Sequence, residues 1–149
     1  MRAYYDTGIL LKLYTAEPQS AAIQKFVEKR KEKLGVTDLH LAECAAALRL
    51  KEFRKECRRV QASAALSLIN EDLKTGVLVR VDLNWGEAWE KCRALADQFA
   101  AETGARTLDT LHVAAARLLE AGSLVTSDRR QILLARRAGL TVVDPLARP

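Results

Sequence analysis

The sequence has few cysteines, few aromatic residues and no long apolar segment. Its three cysteines, Cys44, Cys57 and Cys92, lie far apart and form none of the close pairs that zinc sites and redox motifs use. An odd and scattered set also argues against a disulfide framework, so we interpret them as small buried residues in a reducing, cytoplasmic compartment. No window approaches the ~20 apolar residues of a membrane span, and contact with a membrane is not expected.

Aromatic residues make up only 5% of the chain. Trp85 and Trp89 belong to an apolar stripe at helical spacing and are interpreted as core anchors. We therefore predict no surface platform on which nucleic-acid bases could stack. The net charge of +5 suits a polyanionic partner, but many basic proteins bind no nucleic acid, so the charge alone does not decide the function.

Short apolar segments alternate with helical patterns along the whole chain. The segments "RAYYD", "LGVT", "VLVRVDL", "SLVTSD" and "LTVVD" are predicted strands, and the third has the half-exposed pattern of an edge strand. Asp38 and Thr107 are predicted helix N-caps. Alternating strands and helices favour an α/β fold, a parallel sheet with helices on both faces, and the 149 residues fit one domain over positions 1–149.

Asp6 begins the triplet Asp6-Thr7-Gly8, which is the active-site signature of aspartic proteases. In those enzymes the triplet lies in a loop of an all-β fold, and two such loops form a carboxylate pair. Here helical periodicity follows Gly8 at once, and most of the chain is predicted to be helical. The protease interpretation is therefore rejected.

Four acidic residues are predicted at the carboxyl end of the sheet. Asp6 ends the first strand, Glu43 lies in the helix after the second, Asp109 in the first turn of a later helix, and Asp128 directly after the fourth strand. This edge is where open α/β sheets bind ligands. Carboxylates that converge repel one another unless they share a proton or a cation, and oxygen ligands suit Mg²⁺ or Mn²⁺. The alternative is that they are ordinary helix caps, which would explain Asp109 and Asp128 individually and Glu43 poorly.

Four stretches together resemble a known family. They are "YYDTGILLKLY", "LHLAECAAAL", "RTLDTLHVAAA" and "LVTSDRRQILLARRAGLTVV", and they are similar, in the same order, to the four acidic motifs of PIN-domain ribonucleases. The size and the element order resemble those of VapC-type toxins of toxin–antitoxin pairs. The resemblance implies a five-stranded parallel sheet of order 3-2-1-4-5 and a Mg²⁺- or Mn²⁺-dependent endoribonuclease that hydrolyses RNA phosphodiester bonds with a metal-activated water.

The resemblance also implies roles for individual residues. Asp6 and Asp109 would be the principal metal ligands, Asp128 a further ligand, and Glu43 a ligand or a group that orients the attacking water. Supporting hydroxyls would come from two threonines, Thr7 and Thr126. Gly8 stands where the family often has serine, which is a mild departure that leaves the acidic set intact.

Basic residues beside these motifs are candidates for binding substrate. Arg129 and Arg130 follow Asp128 directly. The segment Arg49–Arg59 is rich in basic residues, and Arg54 would share a face with Glu43 if the helix were continuous from Asp38. The segment could bind RNA or an antitoxin, or it could be a solvated surface with internal ion pairs. His112 is expected to pack or hydrogen-bond within the fold and to take no part in catalysis.

The resemblance implies three partners, which are RNA, a cognate antitoxin protein and a second copy of the chain. Apolar residues in excess of core needs would fit a homodimer interface, namely Leu50, Phe53, Val60 and Leu66. The alternative function is a PIN-like domain that binds RNA or protein without cutting it. A phosphoacceptor receiver domain fits less well because Asp6 stands alone and no lysine follows the last strand. An Asp-x-Asp phosphohydrolase is not supported, since Gly8 occupies the place of its second acid.

Overall fold

The computed structural model describes residues 1–147 of the chain, which form two compact units. The first unit combines Met1–Ile9 with the chain from Asp82 onward, and the second is Leu10–Val81. The single-domain interpretation of residues 1–149 stays a prediction. No helix within the described residues is both long enough and apolar enough to cross a membrane.

Five strands and seven helices alternate through the described residues, as the sequence predicted. The strands are β1 (Tyr4–Tyr5), β2 (Leu34–Val36), β3 (Leu78–Arg80), β4 (Leu124–Val125) and β5 (Val142–Val143). The helices are α1 (Thr7–Leu11), α2 (Ser20–Arg30), α3 (Asp38–Phe53), α4 (Arg59–Thr75), α5 (Trp85–Thr103), α6 (Thr107–Leu118) and α7 (Arg129–Arg137). The α/β class is therefore confirmed.

The strands form two parallel sheets among the described residues, and the predicted single five-stranded sheet of order 3-2-1-4-5 is wrong. One sheet has the order β1-β4-β5 in the first unit, and β2 pairs with β3 in the second. Each hydrogen-bonded strand is two or three residues long, shorter than the usual ~5 residues. An apolar pattern can reveal such a strand, but so few ladder bonds do not fix which strands share one sheet.

The core of the first unit is built around α6 and the strand β1. Every α6 residue from Thr110 to Ala116 is buried, as are Tyr4 and Tyr5 of β1. Gly122 leads into β4 where the backbone of Arg2 passes, and a Cβ atom at Gly122 would lie 2.9 Å from the Arg2 carbonyl oxygen. Only glycine permits this close approach between the two segments.

The helical hairpin of α3 and α4 packs over the sheet of the second unit. Leu48, Ile69 and Leu78 are almost fully buried there. The hydroxyl of Tyr14 donates a hydrogen bond to Asp72 Oδ2 at 2.5 Å. Burial and this carboxylate raise the pKa of the Tyr14 hydroxyl, so Tyr14 stays a hydrogen-bond donor that ties the start of the unit to α4.

The basic segment Arg49–Arg59 is not one continuous helix. The helix α3 ends at Phe53, Arg54 is its C-cap, and Lys55 adopts a left-handed conformation with φ of 59°. The break lies beyond Arg54, whose N–H still donates to the Leu50 carbonyl oxygen at 2.9 Å, so a face shared by Arg54 and Glu43 stays a prediction. Part of the segment is internally paired, since Arg49 Nη1 lies 2.8 Å from Glu52 Oε2.

Two helix starts lie one residue before the predicted caps. Thr37 is the N-cap of α3 in place of Asp38, and Arg106 is the N-cap of α6 in place of Thr107. The pattern of β3 is half exposed as predicted, but Leu78 is its buried residue and Val79 is 37% exposed.

The interpretation of both tryptophans as core anchors is wrong for Trp89, which is 49% exposed, whereas Trp85 is half-buried. Helical spacing defines an apolar stripe on α5, but it does not tell how much of that stripe its neighbours cover.

Candidate functional site

Asp6 lies directly after β1 and is almost fully buried, with 5% of its surface exposed. Its backbone N–H donates to the Val125 carbonyl oxygen at 3.0 Å. Its carboxylate accepts the Ile9 N–H on Oδ1 at 2.6 Å and the Thr126 hydroxyl on Oδ2. The carboxylate is thus fixed both by the start of α1 and by the neighbouring strand.

Thr126 joins two of the predicted acids. It is fully buried, its hydroxyl donates to Asp6, and its Oγ1 accepts the N–H of Asp128 at 3.1 Å. This arrangement follows from the register of β1 and β4, in which Tyr5 pairs with Val125, because the next residue of each strand then lies at the same edge. Thr126 therefore contacts both Asp6 and Asp128, and its supporting role in a metal site stays a prediction.

Asp128 and Asp109 are each fixed at the start of a helix. Asp128 is the N-cap of α7, and its Oδ1 accepts the N–H groups of Arg130 at 2.7 Å and Gln131 at 3.1 Å. Asp109 lies in the first turn of α6, and its Oδ2 accepts the Arg106 N–H at 2.9 Å. The second oxygen of each of these carboxylates accepts no hydrogen bond from residues 1–147.

A hydrogen-bonded group lies behind Asp6. His112 is buried in α6, with Nδ1 at 2.8 Å from the Tyr4 hydroxyl and Nε2 at 3.2 Å from the Thr7 hydroxyl. The rings of His112 and Tyr4 also meet edge to face, with centroids 5.7 Å apart. The expectation that His112 packs and hydrogen-bonds within the fold is confirmed, whereas the supporting role of Thr7 stays a prediction.

Glu43 belongs to the second unit, on α3, where it is half-buried. Burial, and after it the Glu43 carboxylate, raises the pKa of the neighbouring Cys44 thiol to about 12. Cys44 therefore stays protonated and cannot act as a nucleophile. The role of Glu43 beside Asp6, Asp109 and Asp128 stays a prediction.

Asp109 and Asp128 are anchored at the starts of different helices, and Thr126 links Asp128 to Asp6. Among residues 1–147 no three His, Cys, Asp or Glu side chains are grouped closely enough to hold a metal ion. The alternative that Asp109 and Asp128 act as helix caps describes their contacts correctly. The predicted set of metal ligands therefore stays a prediction. It depends on the carboxylate oxygens of Asp109 and Asp128 that the capping hydrogen bonds do not use.

The predicted substrate-binding arginines have different environments. Arg129 is exposed at the start of α7, and Arg130 Nε lies 4.0 Å from Asp128 Oδ1. Arg54 is exposed in the second unit as the C-cap of α3, and its role in binding substrate stays a prediction. Of these three arginines, Arg130 has a described contact with a predicted acid, and Arg129 is the neighbour of Asp128 in the sequence.

One acid at this sheet edge was missed in the sequence. Asp144 follows β5 directly, and its Oδ1 accepts the Ser127 hydroxyl at 2.6 Å and the Leu146 N–H at 3.0 Å. Asp144 could have been predicted by the pattern that identified Asp6, because both acids follow an apolar strand directly. Gly8 leaves room for the serine common in the family, since a Cβ atom there would lie 3.5 Å from Asp6 Oδ1 in ordinary contact.

Comparison with known proteins gives one family and several similar structures. A family model described as the PIN domain matches residues 3–139. The crystal structure of FitAcB from Neisseria gonorrhoeae is similar with a TM-score of 0.64 and 14% identity, covering 96% of this chain and 97% of that chain. The structure of VapBC2 from Rickettsia felis, bound to a DNA fragment from their promoter, gives a TM-score of 0.60, 18% identity and coverages of 96% and 98%. At these identities the similar structures show the fold, and no curated protein matches the sequence.

Proposed function

The chain belongs to the PIN domain family, and from that membership we propose that it is a metal-dependent endoribonuclease that acts as the toxin of a toxin–antitoxin pair. The observation that supports this proposal most directly is the link through Thr126, which holds the carboxylate of Asp6 and the backbone of Asp128 at one sheet edge. Buried hydroxyls seldom connect two acidic residues without a structural or chemical reason.

The donor atoms at this edge fit a hard divalent cation. Asp6, Asp109 and Asp128 would hold it, because carboxylate oxygens are the ligands that Mg²⁺ and Mn²⁺ prefer. Asp109 and Asp128 each keep one oxygen that accepts nothing from residues 1–147. When bound, such an ion supplies an activated water and neutralises charge that builds on phosphate oxygens.

The protein's own residues position the reaction. Backbone N–H groups at the starts of α1, α6 and α7 orient the three carboxylates, and Thr126 fixes Asp6 within the sheet edge. Glu43 is proposed to orient the attacking water. Arg129 and Arg130 are proposed to bind the phosphate groups on either side of the scissile bond, because guanidinium groups match phosphate oxygens in geometry and charge.

Removal of divalent metal is expected to stop RNA cleavage. Excess EDTA should abolish the cleavage of a defined single-stranded RNA, and Mn²⁺ or Mg²⁺ should restore it, because the carboxylates alone cannot activate water. Addition of Mn²⁺ should also raise the melting temperature, since a ligand that binds only the folded chain stabilises it. In Asp109→Asn both responses should weaken together. Cleavage that continues in EDTA would exclude the mechanism.

A PIN-like domain that binds RNA without cutting it is the second candidate. The observation that favours it is the use of Asp109 and Asp128 as helix caps, with no group of three metal ligands among the described residues. The EDTA experiment separates the two candidates, because this alternative predicts RNA binding and no products at any metal concentration.

Self-association is proposed through the end of α3 and the start of α4. Phe53 is 82% exposed, Val60 64% and Leu50 43%, while Leu66 is half-buried. Burying a side chain of this kind contributes about 1.5–3 kcal/mol. Phe53→Glu should therefore raise the dissociation constant of the dimer at least about tenfold.

Light scattering at micromolar concentration measures this change. Leu133→Glu, which alters a 40% exposed leucine on α7, serves as the matched control and should leave the dimer intact. A wild-type chain that is monomeric under these conditions would contradict the proposed homodimer. The proposed antitoxin is tested separately, since co-expression of the protein encoded immediately upstream should suppress RNA cleavage.

A further inference from the structure

Trp89 exposes about half of its surface at the mouth of an open cavity in the first unit. The cavity has a volume of about 550 Å³ and lies between α5 and the start of α6. Trp89 is 49% exposed, although tryptophan is highly buried on average. Tryptophan is enriched at interfaces because it combines a large apolar ring with a polar N–H, so its exposure beside a cavity suits contact with a ligand.

The cavity combines a floor of small side chains with a cationic rim. Ala96, Ala100 and Ala105 line it, and Arg93 and Arg106 are exposed at its edge. Arg93 follows Trp89 by one helical turn, so the guanidinium and the indole share one face of α5. Within residues 1–147 neither arginine forms an ion pair, and no acidic residue lines the cavity.

This combination selects a particular ligand chemistry. An indole that is about half exposed beside small side chains can accept a flat ring, and two guanidinium groups without acidic partners favour a phosphate. Single-stranded nucleic acid offers both, because bases stack on aromatic side chains while basic side chains follow the backbone. A purely apolar protein surface would leave both guanidinium groups without a partner.

The cavity and the predicted acid Asp109 share the first turn of α6. Arg106, which lines the cavity, donates its backbone N–H to Asp109 Oδ2 at 2.9 Å. A phosphodiester at Asp109 would therefore lie within one helical turn of a residue that lines the cavity. We propose that Trp89, Arg93 and Arg106 form a subsite for one unpaired nucleotide of the RNA substrate, with the base on Trp89 and its phosphate on the arginines. This subsite rests on the proposed ribonuclease function.

Tryptophan fluorescence tests the subsite directly. The chain has two tryptophans, so Trp85→Phe leaves Trp89 as the only reporter. Titration with oligouridylate in EDTA should quench its emission to saturation, whereas an RNA duplex of equal length and inorganic polyphosphate should not. The absence of quenching by the single strand would overturn the proposal.

Binding of labelled RNA to the otherwise unaltered chain gives a second measurement. Trp89→Ala should weaken oligouridylate binding on the order of tenfold, and Trp89→Phe should recover part of it, because stacking needs an aromatic ring. Arg93→Ala and Arg106→Ala should each reduce the slope of log K against log salt by about 0.7. Lys91→Ala, a change of a neighbouring cation outside the cavity lining, is the control.

The outcomes separate this subsite from the proposed function. Quenching and binding without cleavage in Mn²⁺ would support the subsite and reject the ribonuclease. Cleavage with an unchanged KM in Trp89→Ala would reject the subsite and leave the ribonuclease. Loss of self-association in Trp89→Ala, with unchanged RNA binding, would assign this surface to a contact between copies and overturn the proposal.

Discussion

Asp6→Asn is expected to lower the rate of RNA cleavage at least about 10²-fold, which corresponds to ~2.7 kcal/mol of transition-state stabilisation. Asparagine keeps the shape of the side chain, and its amide oxygen can still accept the Ile9 N–H that Asp6 Oδ1 accepts at 2.6 Å. What it removes is a negative charge at a buried position. An amide is a poor ligand for a hard cation compared with a carboxylate, so the loss should appear in kcat/KM with the fold retained.

The control for this substitution lies at the same sheet edge. Asp144 follows β5, and Oδ1 of its carboxylate is occupied by Ser127 and Leu146. Asp144→Asn should change kcat/KM less than about threefold, which is small beside the 10²-fold loss that removing a transition-state interaction produces. Circular dichroism should show that both variants fold. Equal losses in the two variants would mean that charge at this edge matters in general and that Asp6 has no special role.

Thr126→Val is expected to reduce the free energy of unfolding by about 2–4 kcal/mol. Valine fills nearly the same volume but lacks the hydroxyl, which is fully buried. The substitution leaves the Asp6 carboxylate without one donor and the Asp128 N–H without its acceptor. Each group then loses a hydrogen-bond partner, at a buried position for Asp6 and a part-buried one for Asp128, and this loss costs free energy. Urea unfolding with an unchanged m value would measure the loss.

Thr126→Ser provides the matched comparison for stability. It keeps the hydroxyl and removes one buried methyl group, so it should cost only about 1 kcal/mol. A double-mutant cycle with Asp6→Asn would isolate the interaction between the two side chains. If valine were tolerated as well as serine, the hydrogen bonds of Thr126 would contribute little, and the proposed coupling of Asp6 to Asp128 would fail.

The order of elements and the edge that carries the acids could both be predicted from the sequence. Apolar runs separated by helical stripes locate each strand, and an acid directly after a strand lies at its carboxyl end whatever the neighbouring strands are. This is why Asp6 and Asp128 were found. The same rule applied to "LTVVD" would have found Asp144.

Other features depend on packing that the sequence does not encode locally. Helical spacing placed Trp89 on an apolar stripe, yet it is 49% exposed because neighbouring elements cover only part of that stripe. No glycine or proline in the sequence marks the end of α3 at Phe53. The left-handed conformation that follows this helix is adopted by a lysine, Lys55. The predicted order of strands in one sheet was wrong because strands of two or three residues have too short an apolar pattern to indicate which strands pair.

The first unit consists of two separate segments of the chain, so its parts are synthesised at different times. Asp6 is synthesised near the beginning, but Thr126, whose hydroxyl donates to its carboxylate, follows more than a hundred residues later. The second unit, Leu10–Val81, is contiguous in the sequence. A nascent chain therefore has no assembled acidic edge until β4 has left the ribosome. In the proposed ribonuclease, this delay would keep unfinished chains inactive beside the RNA that encodes them.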